Sequence, residues 1–213
     1  MATPILSFSF GHEPLKAAAS GAIARLRNGR QAVTTIGPLA GTQDAAIVAL
    51  LDAAFGPKRH GRTAYRIRLG MAWFTDLSFA AHDASGQLIG TLQCWPVALH
   101  GPDGAQTPLI MVGPVAVMPH AQRHGVGRAL MDRLVETIDA APREPLMMIG
   151  DPAYYGRFWG FTAEATGGWE APGPVERHRL LARGDGAALP IVGMLGPRSA
   201  GPVHEPVVAA GQG

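Results

Sequence analysis

The chain has 213 residues, 47% of them apolar, with 18 basic and 16 acidic side chains and a formal net charge of +2; that length suggests one domain with appendages and a core that needs no staples. With no basic tract, nothing in the charge balance calls for nucleic acid, and no apolar run is long enough to span a bilayer. Cys94 is the single cysteine, which rules out an internal disulfide and, with no basic-then-apolar leader, points to a cytoplasmic protein.

Residues 1–30 read as an N-terminal extension, in which SFSF alternates like a short strand and Leu15 to Leu26 forms an Ala-rich helix. Gln31 to Ile36 is rich in β-branched residues and reads as the first strand. A helix begins at Gly41-Thr42, with Thr42 as N-cap and Asp44 in the first turn. Ile47, Leu50, Leu51, Ala54 and Phe55 make its apolar face, and Gly56-Pro57 ends it. A weaker helix spans Thr63 to Gly70. Leu77 to His82 and Gln87 to Val97 are strands around the turn Asp83–Gly86, with Pro96 at a strand end. After a second turn at His100–Gly104, the apolar run Leu109 to Val117 reads as a buried strand, kinked or bulged at Gly113-Pro114. Val126, Leu130, Leu134 and Ile138 recur every four residues as one face of a helix that Pro142 bars from continuing. Pro145 to Ile149 is the next strand and Ala153 to Trp159 a short helix, after which Gly160-Phe161 starts another strand. His178 to Arg183 is the last strand of a domain covering 31–185, and Gly- and Pro-punctuated residues 186–213 form an irregular tail. Three antiparallel strands followed by a strand–helix–strand crossover, expected to be parallel and right-handed, give an α/β (α+β) class with a central mixed sheet and flanking helices.

Between the apolar strand and its helix lies Gln122-Arg-His-Gly-Val-Gly-Arg128. Two glycines let the backbone turn sharply and approach a ligand. The first free N–H groups of the helix point into that turn and favour an anion, most naturally a phosphate or pyrophosphate. Arg123 and Arg128 add positive charge. No Gly-Lys-Ser/Thr follows, so this is not a P-loop, and Leu130 stands where a dinucleotide fingerprint needs its third glycine. His120 and His124 have zinc-ligand spacing but sit in a loop with no third ligand, so no metal is expected. Cys94 lacks an activating partner and reads as a buried apolar residue. The arginines at 59, 62, 66 and 68 read as a solvated face. There is no Gly-x-Ser-x-Gly elbow.

The run Gln122-x-x-Gly125-x-Gly127, after a strand ending Val-Ala-Val-x-Pro, resembles the acetyl-CoA signature (Q/R)-x-x-G-x-(G/A) of GNAT N-acetyltransferases. Gly150-Asp-Pro-Ala-Tyr-Tyr-Gly-Arg-Phe-Trp-Gly-Phe161 resembles strand five and helix four of a stand-alone bacterial branch of that superfamily. The resemblance covers roughly Arg30 to Arg183. It implies the GNAT fold, in which the two parallel strands splay apart and admit the pantetheine arm as an added strand would enter. On that basis the backbone of Val115, Ala116 and Val117 would hold pantetheine. The N–H groups of Arg123, His124, Gly125, Val126, Gly127 and Arg128 would hold the pyrophosphate, and Gln122 would order the loop or touch a phosphate.

The implied activity is transfer of the acetyl group of acetyl-CoA to a primary amine by direct attack in a ternary complex. The N–H of Val117 would stabilise the oxyanion. Tyr155, or failing it Tyr154, would protonate the leaving thiolate, since neighbours on a helix point about 100° apart and only one can face the sulfur. Trp159 is an extra residue before Gly-Phe and blurs that register. The first two helices would wall the acceptor site, placing Lys58, Arg59, His60 and Arg62 near the substrate. The base is open among Glu164, Asp151 and His82. Acetyl-CoA and an amine, on a small molecule or a protein, are the expected partners, with no nucleic acid, membrane or metal; a homodimer is left open. The alternative is a non-catalytic acyl-CoA-binding regulatory or scaffold module with the same fold.

Overall fold

The computed structural model describes residues 24–26, 34–141, 143–184 and 189–199. In chain order the elements are β1 (Ala24–Leu26), β2 (Thr34–Pro38), α1 (Asp44–Phe55), α2 (Thr63–Ile67), β3 (Phe79–His82), β4 (Leu88–His100) and β5 (Gln106–Val117). Then come α3 (Val126–Ala140), β6 (Leu146–Ile149), α4 (Pro152–Trp159), β7 (Gly168–Glu170), β8 (Leu180–Arg183) and β9 (Val192–Pro197). Among the described residues one mixed sheet runs β1-β2-β3-β4-β5-β6-β8, with β9 joined to β4 and β7 to β9. The neighbours are antiparallel except β5 with β6 and β7 with β9. Because β5 lines the whole of β4, β3 and β9 share the other edge, β3 reaching Leu92 and β9 starting at Val97.

Period-two alternation sends successive residues of the long strands into two cores. Leu92, Cys94, Ile110 and Val112 face α3, whose Val126, Leu130, Leu134 and Ile138 are all buried, and α4 joins the same layer through Trp159. On the opposite face Val97, Leu99, Leu109 and Met111 pack with Ile67 of α2 and Leu195 of β9. Ile47, Leu50 and Leu51 of α1 cover Ala80 and Ala116. Each fully buried leucine in these layers contributes about 2 kcal/mol of transfer free energy. The helices therefore clamp the sheet from both sides, and between two of its neighbours, β5 and β6, the pairing is only two residues long.

The structure departs from several sequence-based expectations. Ala24–Leu26 is a strand paired with Thr34–Ile36, where a helix was expected; pairing with an otherwise open edge outweighs the helical propensity of its alanine. The remainder of that expected helix, SFSF and Pro142 lie outside the described residues. Gln43 rather than Thr42 is the N-cap of α1, since its carbonyl accepts the Ile47 N–H at 3.2 Å, and no side-chain bond caps the helix. Only a single bridge, Thr162 to Ala182, follows Gly160-Phe161, so no strand starts there. Pro96 lies inside β4, not at its end. Its partner Ile110 sends its own N–H to Pro145 on the β6 side, so the Pro96 nitrogen faces the opening between β3 and β9, where no hydrogen bond is forfeited. The expected irregular tail contains β9. The edge of β4 beyond Pro96 offers it Val97 to His100 as partners, and Leu195 fills the core beneath. Strands from both the expected extension and the expected tail thus belong to the sheet.

Candidate active site

β5 and β6 pair over two positions, Ile110 with Leu146 and Met111 with Met147, and then part. β5 stays on β4 as far as Val117, while β6 stays on β8 as far as Ile149. The cause of the parting is local. Gly113 and Pro114 together oppose the single residue Gln93, a bulge that bends β5. Beyond it the Met118 N–H bonds to Ile89 on β4 at 2.8 Å. Alternation along the strand then turns the N–H and C=O of Val117 and Val115 away from β4 and into the gap. Ala116, between them, directs its backbone to β4 and is buried. The gap is thus an unpaired strand edge inside the protein, with donors and acceptors exposed at alternate residues.

The turn that follows is shaped by its own backbone. Gln122 Nε2 donates to the Val117 carbonyl at 3.2 Å, tying the loop to the end of the strand. Arg123 adopts φ 66, and Gly125, the N-cap of α3, φ 80 in the left-handed region. The first helical bond runs from the Ala129 N–H to the Gly125 carbonyl, which leaves the amides of Val126, Gly127 and Arg128 without an intrahelical acceptor. A Cβ on Gly125 would meet nothing within 4 Å and one on Gly127 only Val117 Cγ2 at 3.6 Å, so the space over both glycines is open to a ligand. His124 and Arg123 are exposed beside it, and Arg128 lies over the Phe158 ring at 4.4 Å. A cleft of about 390 Å³ runs between this turn and the strand edge, lined by Phe55, Val115, Ala116, Val117, Gln122 and Gly127, with Met131, Tyr154 and Tyr155.

α4 supplies the tyrosines and is held at both ends. Asp151 caps it by accepting the Ala153 N–H at 2.9 Å, and Pro152 takes the first position. Gly160 ends it in the left-handed conformation with its N–H on the Gly156 carbonyl. Trp159, the residue that blurred the family register, is buried and donates its indole N–H to Asp132 of α3 at 2.8 Å. It fixes how α4 turns toward the cleft. Tyr154 is 39% exposed, whereas Tyr155 is half-buried among Tyr154, Trp159 and Phe161. A Cβ on Gly150 would lie 2.6 Å from Tyr155 Cδ2, so the ring's place depends on that glycine. Burial pushes the Tyr155 phenol up to about 12, and Tyr154 also shifts upward through burial. Tyr155 therefore keeps its proton through the whole neutral range. In an ultraviolet titration of the folded protein a phenol should ionise near pH 12 and be missing after Tyr155→Phe; no such loss at high pH would mean the ring is solvated.

A second cleft, of about 610 Å³, opens on the other side of the same wall. Phe55, Val115 and Tyr155 line both. Its lining corrects the expectation of a solvated arginine face at two of the four positions: Arg62 and Arg66 are exposed, but Arg59 is 3% exposed and Arg68 5%. Arg59 pairs with Asp52 at 2.7 Å and donates to the Tyr65 hydroxyl. Arg68 Nη1 donates to the Gly113 carbonyl in the bulge at 2.7 Å, and its guanidinium lies 4.3 and 4.4 Å from the Tyr65 and Trp95 ring centres. Burial lowers its pKa to about 10, which leaves it charged at neutral pH. Arg62 lines the cleft, while Lys58 and His60 are exposed outside its lining. Of the three candidate bases, Asp151 lines the cleft and Glu164 and His82 do not.

Sequence reasoning missed Arg68, Tyr65, Arg179 and Glu176 of this lining. Tyr65 and Arg68, three apart at the end of α2, share a helix side, and that spacing was the available signal. Cys94 is fully buried and its thiol pKa is raised by burial, so it stays a thiol. Among the described residues no three His, Cys, Asp or Glu side chains group as metal ligands, and no helix is long and apolar enough to cross a membrane.

Comparison with known proteins places this architecture. A family profile described as an acetyltransferase (GNAT) domain matches residues 37–162. The structure of the GNAT family N-acetyltransferase YhbS from Escherichia coli, in complex with CoA, aligns with a TM-score of 0.61 at 21% identity, covering 85% of this chain and 93% of that one. A GNAT family acetyltransferase from Brucella melitensis, in complex with acetyl-CoA, aligns with a TM-score of 0.47 at 26% identity over 72% and 97% of the two chains. No curated protein sequence matches. The mixed sheet with its flanking helices is shared with the Escherichia coli structure, and because the family profile spans more than half of the chain, the chain belongs to the GNAT acetyltransferase family.

Proposed function

We propose that the protein transfers the acetyl group of acetyl-CoA to a primary amine by direct attack in a ternary complex. The observation that carries this reading is the shared wall, since two clefts meet at Val115 and Tyr155 where β5 and β6 have parted. One cleft ends at a helix N-terminus suited to a pyrophosphate and has strand edge along its length, and the other has room for an acceptor. The residues present fit the group: the space above Gly125 and Gly127 is open, and the amides beside it lack partners within the helix.

Within that reading the backbone of Val115 and Val117 aligns the pantetheine arm, and the amides of Arg123 to Arg128 hold the pyrophosphate. Gln122 works by bracing Val117. The Val117 N–H faces the gap and stabilises charge developing on the thioester oxygen. Tyr155, protonated at working pH, donates to the departing sulfur. Asp151 and Glu176 are the carboxylates in the second cleft that can accept the proton the amine releases. We place the protein in the cytoplasm, in keeping with the free thiol of Cys94.

Calorimetry with acetyl-CoA, followed by an amine screen read by free thiol release, tests the proposal. Saturable binding and turnover of at least one primary amine are expected. Binding without transfer to any amine would establish the non-catalytic acyl-CoA-binding alternative instead, and a folded protein that binds no acetyl-CoA would overturn both.

A further inference from the structure

The second cleft is walled by more positive than negative charge, and the excess is carried by buried side chains. Four arginines line it, Arg59, Arg62, Arg68 and Arg179, against two carboxylates, Asp151 and Glu176. Arg62, Arg179, Asp151 and Glu176 are exposed, and solvent screens them. The two buried guanidinium groups differ from these and from each other. Arg59 has its counter-ion in Asp52. Arg68 has none among the described residues. Tyr65 and Trp95 stack against it, and one of its in-plane donors is taken by the Gly113 carbonyl.

A guanidinium desolvated this far without an opposing charge is costly. Here it fronts a cavity. An anion entering that cavity would supply the missing charge, and the planar donor fork of arginine matches an oxyacid. We propose, resting on the acetyl-transfer reading above, that the acceptor is a small amine bearing a carboxylate or phosphate group, and that Arg68 binds that group through its remaining N–H donors. Gly113, to which Arg68 is tied, lies two residues before Val115 on the bulged strand. The anion is thereby held close to the reacting amine, as in an amino acid or an aminoalkyl phosphate. A cavity of about 610 Å³ suits a molecule of that size.

Two matched acceptor pairs test this: an α-amino acid against its carboxamide, and an aminoalkyl phosphate against the amino alcohol that lacks the phosphate. The wild-type protein should favour the anionic member of at least one pair by about 100-fold in kcat/KM, and the pair that shows the preference identifies the oxyacid. Arg68→Met should bring that ratio to within a few-fold of one, mainly through KM, with acetyl-CoA binding retained as the sign of a folded variant. Arg68→Lys, which keeps charge but not the fork, should lose about tenfold of the preference and carries the test should Arg68→Met fail to fold. Equal use of both members by the wild type, or a preference that survives these substitutions, overturns the proposal and leaves acetyl transfer standing. A protein that binds acetyl-CoA yet acetylates no amine brings down the transfer reading, and this one with it.

Discussion

Tyr155→Phe is expected to lower kcat for amine acetylation by about 100-fold, the usual worth of one acid–base group, while leaving acetyl-CoA affinity within a few-fold. Tyr154→Phe should cost only a few-fold. Position makes the difference. Tyr155 lines both clefts and Tyr154 only the first; Tyr154 is more than a third exposed, and Tyr155 is packed between Trp159 and Phe161. A hydroxyl that must meet sulfur at the junction of two clefts has to come from the residue that faces both. Gly150→Ala offers a control that keeps the hydroxyl, because its methyl would press on the Tyr155 ring. It should reproduce much of the loss through misplacement. Steady-state kinetics of the three variants decide the matter: a larger loss from Tyr154→Phe would exchange the two roles, and full activity in both tyrosine variants would remove the phenol from the chemistry.

Gly127→Val is expected to weaken acetyl-CoA binding by more than about 100-fold without lowering the thermal midpoint. Three or four charge-assisted backbone hydrogen bonds are at stake, each worth about 1.5–3 kcal/mol, and the valine side chain would stand in the space they address. Within the protein the change is mild. The nearest atom to the new Cβ is Val117 Cγ2 at ordinary contact distance, and valine is no worse than glycine inside a helix. Gly125→Val behaves differently, since φ 80 is a conformation a β-branched residue resists. It should lose both affinity and stability. Calorimetry beside a thermal melt separates the two. Unchanged acetyl-CoA affinity in Gly127→Val would mean that the turn does not hold the pyrophosphate.

The part of the site built from consecutive residues was readable. Val126, Leu130, Leu134 and Ile138 mark α3 by spacing alone, and the turn before it is announced by its glycines; α4 is legible from Ala153 to Trp159, while Gly160, which ends it, reads in the sequence as the start of a strand. What escaped depends on partners distant in sequence. β9 carries glycines at 193 and 196 that erase any alternation, and it is a strand because the edge of β4 beyond Pro96 is vacant. Arg68 looks like a surface residue until Tyr65, Trp95 and the Gly113 carbonyl surround it. Glu176 went unlisted beside Asp151 for the same reason, because it reaches the second cleft from a loop whose course no local pattern encodes.

The stretch that identifies the family and the stretch that folds are different lengths of chain. A fragment cut to residues 37–162 would keep both family motifs and lose β1, most of β2, β7, β8 and β9. Leu146 to Ile149 would then present the backbone that β8 now covers, and Val97 to His100 the backbone that β9 covers. Both are apolar ribbons with open hydrogen-bonding rows, the kind of margin along which separate molecules join into aggregates. The terminal strands thus act as borders: they line no part of the first cleft, and they cover backbone that would otherwise invite a second molecule.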